Sequence, residues 1–388
     1  MSVSASSHSS SPERKCLGGL MKDIDQDSPR DESKDETAYK TLGEQKLSLD
    51  SIYPFSSKTT PLFSPNLKNE IKYNPPVFNL STILAAFRNQ KTTMILQKCL
   101  QDMTKEDLDG IIQEMKGYYS PIIKNKNGNY FISDLLKVCS QEQRIEILKE
   151  LGNNISQDCI DEYGTHPIQT LIELVDSEEE YKLLLFYFSD FTKIIKATLN
   201  QNGTYVIQKL IVNIPEKHRM EFNLNFVKFI CILAMDMFGV CTAIKFINYT
   251  KNEIIEKQLL NIILSNFITI AENQYGNYLI QNIMTHWWNT NKGIFLKKIC
   301  MEKFHKLARN HFSSYVCDIF LKLSNFQDKK LLMSMLVNNK TIKSFEGNNC
   351  GKNIMHKLMN GLKQQNNISN KSFKNNKEEN AKNEEDKK

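Results

Sequence analysis

Between about residue 80 and residue 362, apolar residues fall at i, i+3, i+4 and i+7 in short runs, as at Ile145, Leu148 and Leu151. That spacing predicts helices, and polar turn-formers interrupt it repeatedly, so the helices are short. Within the runs one pattern returns: a small residue, two variable residues, two mostly apolar residues, and frequently Gln. It reads GNYFIS from Gly128, GTHPIQ from Gly164, GTYVIQ from Gly203, GVCTAI from Gly239, GNYLIQ from Gly276 and SSYVCD from Ser313. A weaker first copy, TTMILQ, starts at Thr92, and a last one, GKNIMH, at Gly351. Successive small residues are 36, 36, 39, 36, 37, 37 and 38 positions apart, too tight a period for chance. A unit of this length holds two or three short helices and cannot bury its own core. Neighbours must stack to do so, which predicts an all-α solenoid of seven to eight repeats. The stretches Asn-Gln-Asn-Gly and Asn-Gln-Tyr-Gly before two of the motifs supply the breaks and caps.

The flanks read differently. Residues 1–78 are rich in Ser, Asp, Lys and Thr, carry Pro54, Pro61, Pro65, Pro75 and Pro76, and are expected to be disordered. Residues 363–388 form an Asn/Lys/Glu tract with the same expectation. The repeat domain is thus placed at 79–362. Residues 1–80 balance 10 Lys/Arg against 11 Asp/Glu, residues 81–360 hold 33 against 28, and the remainder holds 7 against 5. An excess of five on the repeats permits a polyanionic partner without requiring one. No apolar run is long enough to cross a membrane and the first residues lack the apolar core of a secretory signal. The nine cysteines stand singly, with no Cys-x-x-Cys pair, which points to reduced core residues rather than disulfides or a metal site.

With the five residues after the small one numbered first to fifth, the first and fifth lie one helical turn apart on one face. The second lies at its edge, and the third and fourth, such as Val206 and Ile207 or Leu279 and Ile280, point to the core. The first positions are Thr93, Asn129, Thr165, Thr204, Val240, Asn277 and Ser314, and the fifth are Gln97, Ser133, Gln169, Gln208, Ile244, Gln281 and Asp318. The second are Met94, Tyr130, His166, Tyr205, Cys241, Tyr278 and Tyr315. An amide or acid beside a small polar group can hydrogen-bond a base edge, and a flat ring can stack on a base. Polar residues on a helix face are more often plain solvated surface, and HEAT or armadillo scaffolds also give helical repeats. Yet four Tyr at the second position and four Gln at the fifth are poorly explained by solvation.

These residues resemble the Pumilio repeat: NQNGTYVIQK at 200–209 and NQYGNYLIQ at 273–281 are close to its central helix. The resemblance covers about residues 80–362. It implies a right-handed superhelical crescent of three-helix repeats with single-stranded RNA on the concave face, antiparallel to the chain. It further implies base-edge contacts from Thr93, Gln97, Asn129, Ser133, Thr165, Gln169, Thr204, Gln208, Asn277, Gln281, Ser314 and Asp318, and stacking by Met94, Tyr130, His166, Tyr205, Tyr278 and Tyr315. Asn277, Gln281 and Tyr278 are similar to a uracil reader. Ser314 with Asp318 is similar to the Ser/Glu guanine reader, one methylene shorter, and together the two give 5′-GU. The Thr/Gln pairs lean to adenine or uracil. Val240, Cys241 and Ile244 are expected to contact a base without reading it, and Gly351 to open a C-terminal cap or an eighth repeat. The implied partners are mRNA 3′ untranslated regions and protein effectors of repression or decay, for a monomeric, cytoplasmic, non-enzymatic chain with no cofactor, metal or membrane. Two alternatives are a nucleolar Pumilio-like ribosome-assembly factor binding structured RNA and a protein-binding scaffold. His286, Trp287 and Trp288 are assigned to packing, and Glu178 and Glu179 to solvent.

Overall fold

The computed structural model describes residues 79–339 and 341–363, so the expected disorder of residues 1–78 and of the tail from 364 lies outside the described residues. Among the described residues there are helices and turns and no strand. They divide into two compact units, with the division between Glu180 and Tyr181.

Each of repeats 1 to 6 contributes a short helix, the motif helix and a third helix. In the N-terminal unit the motif helices are Gln90–Cys99, Gly128–Val138 and Thr165–Leu174, those of repeats 1 to 3. In the C-terminal unit they are Gly203–Asn213, Gly239–Tyr249, Gly276–Trp287 and Ser313–Leu323, those of repeats 4 to 7. Consecutive motif helices pack side by side within each unit. Repeat 7 has no separate short helix: the 17-residue helix Asn291–Leu307 serves as the third helix of repeat 6 and runs on into that role. Repeat 8 begins with the 3-10 turn Ile342–Phe345 and continues as a helix over 349–363, which carries the domain one residue past the expected boundary.

Two local rules start every motif helix. The first is an Asn or Asp three residues before the small one: Asn89, Asn125, Asp161, Asn200, Asp236, Asn273, Asn310 and Asn348. Its side-chain oxygen accepts from the backbone N–H groups at the turn, as Asn273 does from Tyr275 at 2.8 Å and Gly276 at 2.9 Å. Such Asx turns satisfy donors that a helix start leaves unpaired. The second is the small residue, which lies against the backbone carbonyl six residues earlier. A Cβ on Gly128, Gly203 or Gly276 would sit within 2.6 Å of the oxygen of Ile122, Ala197 or Ile270. Where glycine is replaced, the side chain is a hydroxyl that uses that same carbonyl. Ser313 Oγ donates to Leu307 O at 2.7 Å, and Thr92 Oγ1 to Ala86 O at 2.6 Å. The pattern "small residue" is therefore a close approach to a carbonyl in five repeats and a hydrogen bond in two, while Gly351 of repeat 8 lies against the Phe345 ring.

The third and fourth motif positions form the core. Ile132, Ile168, Val206, Ile207, Leu279, Ile280 and Val316 are fully buried. Burial of such a side chain stabilises by about 1.5–3 kcal/mol relative to exposure. Neighbouring repeats are also tied by polar contacts. In the N-terminal unit Arg144 bridges buried Glu180 at 2.9 Å and Asp176 at 3.2 Å. In the C-terminal unit buried Arg219 donates to the carbonyls of Ile214 and Tyr249 and to Asn223. Trp287 and Trp288 are buried as expected, with Lys292 and Lys297 over their rings. Glu178 and Glu179 are exposed.

Candidate nucleic-acid interface

Packed side by side, the motif helices do not expose their first positions. Thr93, Asn129, Thr165, Thr204 and Asn277 are at most 3% exposed, and only Ser314 is half-exposed. This corrects the expectation that first and fifth residues share an open face. The first position is covered by the next helix, as where Thr204 Oγ1 meets Thr242 Oγ1 at 2.8 Å and donates to Phe238 O at 3.1 Å. The most exposed residues are those at the second position: Tyr130 at 60%, Tyr315 at 49%, Met94 at 48% and Tyr205 at 47%. His166 is also exposed and Tyr278 is half-buried. An apolar or aromatic side chain is stable on such a surface but gains by being covered with a flat partner.

The buried first position instead orients the fifth. Nε2 of Gln281 donates to Asn277 Oδ1 at 2.9 Å, that of Gln169 to Thr165 Oγ1 at 3.0 Å, and that of Gln208 to Thr204 Oγ1 at 3.3 Å. Each bond fixes one N–H of a half-buried amide that lies three residues after the second-position side chain on the same helix. A held amide with an adjacent ring is suited to a planar heterocycle with donors and acceptors along one edge.

The repeats differ in how this is done. In repeat 2 Ser133 is too short: its hydroxyl donates to Asn129 O at 2.9 Å, and Asn129 Oδ1 is left buried without a donor. In repeat 5 Val240, Cys241 and Ile244 are all buried. The expected base contact there has little surface to rest on, because even the second position is covered. In repeats 1 and 7 the fifth residue is held from the following repeat. Gln97 donates to Asp134, and Asp318 Oδ1 accepts from Lys357 at 2.8 Å. Asp134 and Lys357 each follow directly on the fifth position of their own motif, one residue beyond the positions expected to act. Among the described residues no cluster of metal-ligating side chains occurs, and no helix is long and apolar enough to cross a membrane. Burial pushes the thiols of Cys139 and Cys159 up to about 12, which keeps them protonated.

The model of the Pumilio-family RNA binding repeat matches residues 95–116, 119–151, 198–221 and 266–287, which lie in repeats 1, 2, 4 and 6. The chain carries Pumilio-family repeats. Pumilio homolog 12 of Arabidopsis thaliana is 26% identical over 276 residues, covering 69% of this chain and 45% of that protein. Suppressor protein MPT5 of Saccharomyces cerevisiae is 26% identical over 269 residues, 66% of this chain and 29% of that one. The chain thus spans less than half the length of these relatives. Among solved structures, the Puf4 RNA binding domain bound to an HO endonuclease RNA 3′ UTR recognition sequence superposes with a TM-score of 0.66 at 20% identity, covering 74% of this chain and 89% of that one. The RNA-binding domain of yeast Puf5p bound to SMX2 RNA gives 0.62 at 20% identity, over 71% and 82%. At that identity the likeness is one of fold. Repeats 3, 5 and 7 follow the same two rules at the start of the motif helix, and repeat 8 follows the first through Asn348.

Proposed function

We propose that this Pumilio-repeat chain binds single-stranded RNA along its motif helices, one base per reading repeat, and regulates mRNAs through elements in their 3′ untranslated regions in the cytoplasm. The observation that carries this reading is the pairing, in repeats 3, 4 and 6, of a half-buried amide held by the first-position residue with a solvent-reaching ring at the second position of the same helix. Solvation alone gives no reason to lock a surface glutamine, since ordering a long side chain costs about 1 kcal/mol or more of conformational entropy. The solved relatives by fold carry RNA in the complexes described. Asn277, Gln281 and Tyr278 are assigned to uracil, Ser314 and Asp318 to guanine, and the Thr/Gln pairs of repeats 1, 3 and 4 to adenine or uracil. Repeat 5 lends no selectivity. Recruitment of repression or decay factors would fall to surfaces other than this one.

The test is selection from a randomised single-stranded RNA pool by the purified chain at near-physiological salt. A short enriched element containing 5′-GU is the expected result. Binding without any enriched element would replace the base-reading assignment with recognition of RNA shape, and no binding would leave a protein scaffold.

A further inference from the structure

Repeat 7 holds its fifth residue in a different way from repeats 3, 4 and 6. Ser314, the first position, turns its hydroxyl back to His311 O at 2.6 Å and does not reach Asp318. The carboxylate is held instead by Lys357 of the last helix, at 2.8 Å from Oδ1, with Lys322 at 3.5 Å from Oδ2. Asp318 is about one-fifth exposed and Lys357 about two-fifths, so both reach solvent, as does Tyr315 three residues before Asp318 on the same helix. The site therefore presents an acceptor pair with an ammonium donor beside it.

Only one base edge matches that order. Guanine offers the acceptor O6 next to the donors N1–H and N2–H, whereas uracil, cytosine and adenine each set an acceptor or a donor against its like. We propose that Lys357 is a specificity-determining residue of repeat 7: its ammonium donates to O6 of the guanine whose N1–H and N2–H are accepted by Asp318. The last helix is then part of the reading surface and does more than cap the array. A lysine has three donors, so it can keep Asp318 in place while reaching the base. This also offsets the missing methylene of Asp318, because the base is gripped from two helices. The inference rests on repeat 7 contacting a base as proposed above.

The experiment uses the full chain and the selected RNA, with guanine, 6-thioguanine or adenine at the position that Asp318→Ala alters. 6-Thioguanine keeps both donors and exchanges O6 for a weak acceptor. The unaltered chain should prefer guanine over 6-thioguanine by about tenfold, as for a hydrogen bond to a charged group. Lys357→Met, which keeps the stem, should erase that preference, and Lys357→Arg should retain most of it with an unchanged melting temperature. Unaltered discrimination in Lys357→Met would overturn the inference, and so would tighter guanine binding, which would mean that Lys357 only competes for Asp318. If Asp318→Ala changes the selected base at no position, the base-reading assignment of repeat 7 itself falls, and this inference with it.

Discussion

The two units are built from the same repeat and carry opposite charge. Residues 79–180 hold 10 Lys/Arg against 17 Asp/Glu, whereas residues 181–363 hold 24 against 11. The whole-domain excess, mild when taken as a sum, conceals an acidic N-terminal unit and a strongly basic C-terminal one. Their motif helices begin by the same Asx turn and the same close approach, so the difference lies in what is presented and not in how it is built. The C-terminal unit has three of the four second-position tyrosines and two of the three amides fixed from their own helix. The N-terminal unit offers Met94, Tyr130 and His166, with Ser133 too short to join its asparagine. Affinity for a polyanion should therefore concentrate in the C-terminal unit, with the N-terminal one adding selectivity at close range.

The largest expected effect breaks the ladder in one unit and then the other. Tyr278→Ala with Gln281→Ala removes a stacking ring and a fixed amide, and should weaken binding about a hundredfold, the sum of one stacked base and one hydrogen-bonded edge. Tyr130→Ala with Ser133→Ala should cost about tenfold or less, because the edge contact in repeat 2 is already incomplete. Equilibrium titration with the selected RNA measures both. Equal losses would erase the contrast between the units.

Next in size is a control on the scaffold. Gly276→Ala and Gly128→Ala drive a methyl group into a backbone carbonyl in the C-terminal and N-terminal unit respectively. Each should cost about 1–3 kcal/mol of unfolding free energy, as overpacking does. Chemical denaturation should show similar losses for the two. A large loss in one unit alone would locate the difference between them in packing after all.

Much of this was legible before any coordinates. The period of the small residues, the apolar third and fourth positions and the tyrosines gave the repeat and its outward ring, because hydrophobic spacing is local information. The burial of the first position was not legible. It depends on how closely the next motif helix approaches, as Thr242 does to Thr204, and side-chain spacing on one helix does not report the distance to another. Asp134 and Lys357 were missed for the same reason: each is a neighbour in space from the following repeat. The Asn or Asp three residues before every small one was visible throughout, and only two of its eight instances were read as caps. The charge contrast was equally in plain view, but the position at which to divide the chain came from the structure.

A smaller effect is expected in salt. Lys245 lies directly after the fifth position of repeat 5, its ammonium 5.9 Å from the centre of the Tyr249 ring, and a backbone phosphate is the contact predicted for it where the apolar motif offers a base no edge. Lys245→Gln should lower the slope of log affinity against log salt by about 0.7, the contribution of one charge on a single strand. Asp134→Asn in the N-terminal unit should change the slope little while raising affinity slightly, since it removes a repulsive charge near the ladder. An unchanged slope after Lys245→Gln would place the phosphate contacts elsewhere.

The smallest effect concerns the acidic unit alone and involves no RNA. Burial by itself would raise the carboxyl of Glu180, but the Arg144 guanidinium, the Asp176 backbone N–H and the Ser177 hydroxyl outweigh it and hold the group below its ordinary value. A carboxyl held lower in the folded state gives stability that is complete above its unfolded pKa and is lost as pH falls through the folded one. Stability of the chain should therefore decline on the acid side, below roughly pH 4 to 5, where free glutamate titrates. Glu180→Gln removes the titrating group, so the variant should be less stable near neutrality and flatter with pH over that acid limb. Parallel denaturation curves from pH 7 to pH 3.5 decide it. If the variant keeps the full acid decline, other carboxylates of the N-terminal unit set its pH response, and its negative charge is held by many weak pairs in place of one buried clamp.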